Sequence, residues 1–294
     1  MEASRFEAPT EVEGAVALLA AEDGARILAG GTDLLVQTRL RRGVPDAPPP
    51  PSVFVDVKRI PRLMRTQLDA GGLTLGAAVP AAEIFENQTI KNRWPGLAEA
   101  TDLIGSTQVQ GRATWCGNLC NASPAADSVP ALIACGATVV IAGPKGEREL
   151  PVEEFTMGPG QTVLQRGELV VEFKVATPAD HAADAYLRLI PRTEMDIAVV
   201  GAGVQLQLDA AGTVQAARVA LGAVAPTAIR VPDAEAALVG SKLEAAALEA
   251  ASAAASEAAN PIADKRGTVS YRKKIAGVLT RRAAQSAYER AGAR

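Results

Sequence analysis

The sequence predicts an α+β fold in three consecutive parts. Up to residue 177, short helical patterns alternate with short apolar strand patterns. After Pro178 three long extended segments follow one another, and the chain then ends in Ala-rich and basic helical segments. We therefore divide the chain into units at residues 1–57, 58–177 and 178–294.

The first unit is predicted to contain helix, strand, helix and strand, at residues 10–23, 25–29, 34–40 and 53–57. Thr10 and Glu13 have the spacing of an N-terminal capping box, in which each side chain bonds the other residue's amide. Residues 44–52 include five prolines, which favour a surface connection because proline cannot continue a helix or a central strand.

The second unit is predicted to contain strand, helix, helix, helix, strand and strand, at residues 73–77, 80–85, 96–104, 131–135, 137–141 and 169–175. Pro80 suits the first turn of a helix, where its missing N–H costs nothing. Gly136 is a typical helix stop, and it separates the helical pattern at residues 131–135 from the strand that follows.

The third unit begins with extended segments at residues 185–189, 197–208 and 214–224. A turn at 209–212 joins the last two into a hairpin. Gly201 and Gly203 superficially resemble a Rossmann glycine motif. The third glycine is missing and the apolar alternation continues, so we interpret this segment as a strand.

Residues 233–259 have high helix propensity, and a last helix closes the chain. Its apolar face contains Ile275, Val278, Leu279 and Ala283, and its basic residues are expected mainly elsewhere, at Arg272, Lys273, Lys274, Arg281 and Arg282. Such a helix could bind anionic lipid or RNA, or contact a partner subunit. We favour a packed helix with solvated arginines.

Composition excludes several functional classes. The chain has 294 residues, 48% of them apolar, and a net charge of -3, so no global positive field attracts nucleic acid or a membrane surface. No stretch approaches the roughly 20 apolar residues of a membrane span, and the first residues lack a signal-peptide pattern. We expect a cytoplasmic protein.

Three cysteines and one histidine do not favour a metal site or a disulfide framework. Cys116 and Cys120 are four residues apart, Cys135 is best interpreted as core, and His181 lies in a polar segment. A tetrahedral site needs four ligands, so no metal is expected on this chain.

Two glycine-bearing segments carry the strongest functional signal. They are Ala29–Asp33 and Ala113–Asn118, and Ser123–Asp127 follows the second. Residues without bulk let backbone N–H groups approach an anion closely, while Thr, Asn and Ser add short hydrogen-bonding groups. Two such segments from separate units could neutralise a dinucleotide diphosphate between them.

In this arrangement the chain resembles the FAD-binding medium subunits of molybdenum hydroxylases, the carbon monoxide dehydrogenase and xanthine dehydrogenase family. The resemblance extends over nearly the whole length. It is carried by five motifs in order, at residues Ala29–Asp33, Thr114–Asn118, Ser123–Asp127, Arg192–Ala198 and Tyr271–Arg272 with the basic helix behind it.

The resemblance implies a two-part FAD-binding domain of the p-cresol-methylhydroxylase-like fold, followed by a C-terminal α/β domain with a three-stranded antiparallel sheet and helices. The first two segments would hold the FAD diphosphate, and Asp127, Val170, Arg188 and Arg192 would approach the flavin. Arg188 and Arg192 would favour the anionic reduced flavin. The residues expected at FAD are Leu28, Ala29, Gly30, Gly31, Thr32, Asp33, Leu34, Ile104, Ala113, Thr114, Cys116, Gly117, Asn118, Cys120, Ser123, Asp127, Val170, Arg188 and Arg192.

One position departs from the family pattern. Cys116 stands where these subunits usually have the first glycine of a Gly-Gly-Asn sequence. If the backbone there needs a positive φ, Cys116 is strained by roughly 1–2 kcal/mol. If the backbone is ordinary, the residue is tolerated.

The resemblance also implies partners: a large subunit with the molybdenum cofactor and a small subunit with two 2Fe–2S clusters, assembled as a dimer of heterotrimers. Electrons would pass from the clusters through FAD to an external acceptor, with no acid or base required from this chain. Two alternatives stay open. One is a stand-alone flavin oxidoreductase on the same fold, and the other is a flavin-free scaffold.

Overall fold

The computed structural model describes residues 4–41, 44–45, 47–193 and 195–293, and this part of the chain contains three larger β-sheets and one two-stranded sheet. Within these residues, no helix combines the length and the apolar character that a membrane crossing requires. Residues 44–52 contain no helix or strand at their described positions, as the prolines predict, and Asp46 lies outside the described residues.

The first sheet is parallel, with the strand order β1-β3-β2. Its elements are β1 (Arg5–Glu7), α1 (Val12–Ala21), β2 (Ala25–Leu28), α2 (Leu34–Leu40) and β3 (Val53–Asp56). Val53 and Val55 are buried, and the residues between and after them are half-buried, so the alternation of the sequence is that of a strand with one face in the core. The first glycine segment connects β2 to α2.

The predicted capping box at Thr10 is wrong. Helix α1 begins at Val12, its N-cap residue is Glu11, and no side chain caps the first turn. Because the helix begins later than the sequence pattern suggests, the hydroxyl of Thr10 does not reach the free amides of the first turn.

The second unit contains an antiparallel sheet of order β4-β5-β10-β6-β7 and a small β8–β9 hairpin, covered by six short helices. Its elements are β4 (Thr66–Leu68), β5 (Gly72–Gly76), α3 (Ala81–Glu86), α4 (Gln88–Arg93), α5 (Pro95–Asp102), α6 (Thr107–Gln110), α7 (Trp115–Cys120), α8 (Ser128–Ala134), β6 (Thr138–Gly143), β7 (Gly146–Pro151), β8 (Thr156–Gly158), β9 (Gln161–Thr162) and β10 (Leu169–Ala176). Gly136 has φ +64° and ends α8, as predicted.

The third unit contains an antiparallel sheet of order β11-β12-β13-β14 with three helices. Its elements are β11 (Ala182–Leu189), β12 (Val200–Leu208), β13 (Val214–Gly222), β14 (Ile229–Arg230), α9 (Pro232–Leu238), α10 (Ala245–Ala258) and α11 (Val269–Gly292). The three long strands are those that the sequence predicts, and β14 adds a two-residue edge. The glycine-containing segment is strand β12, as the alternation predicts.

The helical pattern of residues 233–259 forms two helices rather than one. Between α9 and α10, Gly240 has φ +82° and Leu243 has φ +56°, which no helix accommodates. In this break, the amide of Gly240 donates to the carbonyl of Val214, and the amide of Val214 donates to the carbonyl of Ser241. Pairing with the end of β13 therefore overrides the local helix propensity.

Helix α11 packs against α10 and against strands β11 and β12, in agreement with the packed-helix interpretation. The expectation that its basic residues lie off the packed face is wrong for Arg272, whose side chain is 4% exposed. The guanidinium donates to the carbonyl oxygens of Val199 (2.7 Å) and Ala223 (3.2 Å) and to the carboxylate of Asp264 (2.7 Å). Strand ends of the sheet thus provide acceptors that the sequence pattern does not reveal.

Buried side chains of residues 15–175 form one continuous apolar cluster, which also includes Tyr186 and Ala220. Those of residues 183–291 form a second cluster around the third sheet. The first two units therefore share their core. The boundaries at 57 and 177 stay predictions.

Candidate functional site

A cavity of about 300 Å³ lies between the first sheet, helix α7 and strand β10. Both glycine segments contribute to its wall. The lining residues are 26–27, 29–34, 37, 104, 113–114, 116–118, 120–121, 164 and 168–170. The volume is at the lower end of the range of small-molecule sites, which bind mainly through apolar walls and a few polar groups.

Gly30 is the point at which the two segments touch. A Cβ on this residue would lie 1.9 Å from the carbonyl oxygen of Arg112 and 3.1 Å from the Cα of Ala113. Both atoms belong to the backbone, so no side-chain rotation can relieve the contact. Only glycine allows the segments to approach this closely, and the absence of a side chain is therefore a requirement of the cavity wall.

The amide N–H groups of the first segment are available to a ligand. Among the described residues, no group accepts a hydrogen bond from the amides of Gly30, Gly31 or Thr32. Gly31 has φ +78°, a conformation that favours glycine and that turns successive amides towards one side. Free amides along a concave wall are the groups that bind phosphate oxygens.

The second segment forms the start of a capped helix. Thr114 is the N-cap residue of α7, and its Oγ1 accepts from the amide of Gly117 at 2.8 Å. Cys116 lies in the first helical turn and is not among the residues with positive φ. Of the two alternatives for this departure from the glycine pattern, the ordinary backbone is the one observed.

Polar side chains hold the two segments in place. The ammonium group of Lys58 donates to the carbonyl of Ala29 (2.9 Å) and to Asp56 (2.6 Å). On the other side, Oδ1 of Asn118 accepts from the hydroxyl (2.7 Å) and the amide (3.3 Å) of Ser128. Asn118 lines the cavity, and among the described residues no group accepts from its NH₂ group, which therefore remains available as a donor.

Two family models match the chain. The first, the FAD binding domain in molybdopterin dehydrogenase, covers residues 2–178. The second, the CO dehydrogenase flavoprotein C-terminal domain, covers residues 185–287. The chain belongs to this flavoprotein family. It is thus an FAD subunit of the molybdenum hydroxylase type, an oxidoreductase component, as the five motifs predict.

Individual relatives match over nearly the full length. The carbon monoxide dehydrogenase medium chain of Hydrogenophaga pseudoflava is 34% identical over 97% of this chain and 98% of the relative. The putative xanthine dehydrogenase FAD-binding subunit of Escherichia coli is 30% identical over 95% of this chain and 94% of the relative. A solved structure of the Hydrogenophaga pseudoflava carbon monoxide dehydrogenase superposes with a TM-score of 0.91, with 98% of both chains covered.

Most residues that the resemblance assigns to FAD line this cavity of the flavoprotein subunit. They are Ala29, Gly30, Gly31, Thr32, Asp33, Leu34, Ile104, Ala113, Thr114, Cys116, Gly117, Asn118, Cys120 and Val170. Leu28 lies next to them at the end of β2 without lining the cavity. Their contacts with FAD stay predictions.

Asp127 and Arg188 lie outside the cavity lining, in an internal ion pair. Nη1 of Arg188 donates to Asp127 at 2.7 Å, and the hydroxyl of Tyr186 donates to the same carboxylate at 2.9 Å. Burial raises the pKa of Asp127 to about 6, although Arg188 and Tyr186 oppose this shift. The ion pair links α8 to the third sheet. In it, the carboxylate of Asp127 compensates the positive charge that Arg188 would otherwise offer to a flavin.

The two other predicted residues also stand apart from the lining. Ser123 is exposed, and its hydroxyl accepts from the amide of Ala125 at 3.3 Å. The side chain of Arg192 is 67% exposed and lies 3.6 Å from Asp196. Glu194, in the same motif, lies outside the described residues.

Sequence reasoning missed several lining residues. Arg26 and Ile27 belong to the strand before the first segment, and Gln37 is one helical turn beyond it. Nε2 of Gln37 donates to Oδ1 of Asn121 at 3.2 Å, which joins the two walls. Helical spacing from Asp33 could have identified Gln37. Leu164, Glu168 and Leu169 come from the approach to β10, and no local pattern identifies them.

Proposed function

We propose that this cavity binds the diphosphate of FAD and the adjoining parts of the cofactor. The observation that carries the proposal is the contact at Gly30, which brings free amides of one segment next to the first turn of α7 around one cavity. Amide N–H groups without bulk neutralise a diphosphate without steric conflict. The free NH₂ group of Asn118 adds a side-chain donor to a phosphate or a ribose hydroxyl.

The apolar part of the wall suits the remainder of the cofactor. Ile104 and Val170 line the cavity, and both are nearly completely buried. They would exclude water from the bound molecule. The segment around Arg192 has an exposed guanidinium and stays our candidate for the flavin end. Arg188, in contrast, would act mainly through Asp127.

Bound FAD supplies the capacity to take up electrons singly and to release them singly or in pairs. The residues of this chain bind and orient the cofactor and need to move no proton in our proposal. We propose that the electrons come from two 2Fe–2S clusters on a small subunit, which receives them from a molybdenum-cofactor subunit, and that they leave to an external acceptor. The assembly would be a dimer of heterotrimers in the cytoplasm.

A substitution at Gly117 tests the cavity with little cost to the fold. This residue is helical and exposed, and apart from the backbone of its own helix the nearest atom to a Cβ there is Oγ1 of Thr114, at 3.2 Å, which must give way by a few tenths of an ångström. Gly31→Val would add a second effect, because its positive φ strains any side chain and its Cβ would lie 2.9 Å from Leu28. We therefore choose Gly117→Val and use Gly111→Val as the matched control, since the nearest atom to a Cβ at Gly111 is 3.9 Å away.

We expect the purified wild-type chain and Gly111→Val to be yellow with one FAD per chain, and Gly117→Val to retain far-UV circular dichroism but lose the flavin absorption bands. Stoichiometric FAD in Gly117→Val would refute the assignment of the cavity. A colourless wild-type protein that takes up no added FAD would favour the scaffold alternative.

Capture of molybdenum and iron–sulfur subunits with the tagged chain tests the proposed partners. Substrate turnover by the isolated chain would instead support the stand-alone enzyme.

A further inference from the structure

Two thiols face each other in the wall of the cavity. Sγ of Cys116 and Sγ of Cys120 are 3.7 Å apart, one helical turn apart on α7, and both residues line the cavity. The third cysteine is not part of this arrangement, because Cys135 donates from its Sγ to Asp184 at 3.4 Å. The pair has no function in the binding scheme above.

Geometry allows a disulfide between the pair only if the helical turn deforms. Side chains four residues apart on a helix have Cβ atoms about 5–6 Å apart, whereas a disulfide needs about 3.5–4.5 Å. Helix α7 ends at Cys120, and its turn contains Gly117, which has no side chain to resist a change of backbone. The bond can therefore close through local tightening of residues 116–120.

The pKa of the Cys120 thiol is raised well above its ordinary value, first by its hydrogen bond with Cys116 and then by burial. Cys120 thus keeps its proton at neutral pH, and oxidation of the pair requires that a thiol first loses its proton, because the thiolate is the nucleophile.

We propose that Cys116 and Cys120 are a reversible dithiol–disulfide modification site, and that closure of the bond weakens cofactor binding in the cavity. The oxidant is a hydroperoxide such as hydrogen peroxide. The thiolate of one cysteine attacks one peroxide oxygen, which gives a sulfenic acid and hydroxide, and the hydroxide takes up the proton that the thiol released to form water. The other cysteine then attacks this sulfur, the S–S bond forms and a second water leaves, so two thiols and one peroxide give one disulfide and two waters.

The effect on binding follows from the residues that the bond encloses. Gly117 and Asn118 lie between the two cysteines and line the cavity. Tightening of their turn moves the first-turn amides and the Asn118 side chain away from the positions that a diphosphate requires. By linkage, a bound cofactor disfavours the disulfide to the same extent and protects the thiols.

The effect of the disulfide on cofactor binding rests on the proposed FAD site, whereas formation of the disulfide does not. The test uses the full-length chain stripped of flavin, treated with hydrogen peroxide and then with dithiothreitol. Mass spectrometry of the peptide that contains both cysteines detects the disulfide, and flavin fluorescence gives the FAD dissociation constant after each treatment. Cys116→Ser and Cys120→Ser remove the bond, and Cys135→Ser is the matched control outside the cavity.

We expect wild type and Cys135→Ser to lose two hydrogens in this peptide and to bind FAD about tenfold more weakly, the effect of one lost hydrogen bond to a charged group. Dithiothreitol should reverse both changes, and the two cavity variants should bind FAD equally before and after peroxide. Oxidation to sulfinic acid without a disulfide, or a disulfide that leaves FAD affinity unchanged, would overturn the inference. If the reduced chain binds no FAD at all, the proposed function fails. The mass change of the peptide still shows, independently of FAD, whether the two thiols form a disulfide.

Discussion

Replacement of Gly30 by alanine provides the sharpest test of how the cavity is built. The added Cβ would lie 1.9 Å from the carbonyl oxygen of Arg112, and Cβ atoms essentially never come closer than 3.0 Å to such a neighbour. The two segments must therefore move apart by about 1 Å. This displacement acts on the backbone at the junction of the two walls, which no side-chain rotation can avoid.

The size of the effect follows from the hydrogen bonds at stake. A hydrogen bond to a charged group contributes about 1.5–3 kcal/mol, so the loss of two amide–phosphate bonds weakens binding by about 3–6 kcal/mol. This range corresponds to an increase of the FAD dissociation constant by roughly 10²–10⁴-fold. We expect Gly30→Ala to be purified without flavin and to require high FAD concentrations for reconstitution.

Gly111→Ala is the matched control, because Gly111 precedes Arg112 and a Cβ there would make only an ordinary contact, at 3.9 Å, with the carbonyl oxygen of Gln108. The assay is a flavin fluorescence titration of both variants, with thermal unfolding of the flavin-free proteins measured in parallel. The control should bind FAD as wild type does. If Gly30→Ala binds FAD with wild-type affinity, the close approach is not a condition of binding and the reasoning is refuted.

Three further predictions concern residues outside the glycine segments. Lys58→Met removes the donor that holds the first segment and should raise the FAD dissociation constant about tenfold or more. Lys174 belongs to an exposed ion pair, so Lys174→Met should leave the dissociation constant unchanged in the same titration. Burial raises the pKa of Asp184 from its ordinary 3.8 to about 6, so the wild-type fold loses stability as the pH rises between these two values, and the loss is complete above about pH 6. We compare the unfolding free energies of wild type and Asp184→Asn in urea at pH 4 and at pH 7. Between these two pH values the variant should gain about 2–3 kcal/mol relative to wild type, and a difference that stays constant would contradict this. Arg272→Met leaves three acceptors without their donor and should lower the unfolding free energy measured in urea by about 3–5 kcal/mol. The exposed control Arg281→Met should lower it by about 0.5 kcal/mol or less, and equal effects would refute the buried role of Arg272.

Local patterns in the sequence were sufficient for most of the elements and for the family. Alternation identifies β12 and β13, glycine identifies the end of α8, and the prolines identify the connection at 44–52, because each depends on the backbone preferences of neighbouring residues. The two glycine segments were also recognisable. Absence of a side chain is visible in the sequence even when the backbone that approaches it is not.

Side-chain partners from distant parts of the chain were not predictable in this way. By its sequence Arg272 belongs to a basic helix, but its side chain is buried because it donates hydrogen bonds to carbonyl groups at the ends of two strands. Asp127 follows the second glycine segment as a ligand would, yet its carboxylate pairs with Arg188 of strand β11, 61 residues away in the chain. Which charge meets which depends on how the sheets and helices pack.

The sequence by itself determined the order of helices and strands, the two segments without bulk and the family to which the chain belongs. These features follow from local sterics and from the spacing of apolar residues. The tertiary structure alone decided that Gly30 meets the backbone of Arg112, that residues 239–244 interrupt the last helical region, and that two thiols share the cavity wall with Asn118. Such contacts join residues far apart in the chain or depend on the exact start of a short helix, and their free energy exists only once the units have packed together.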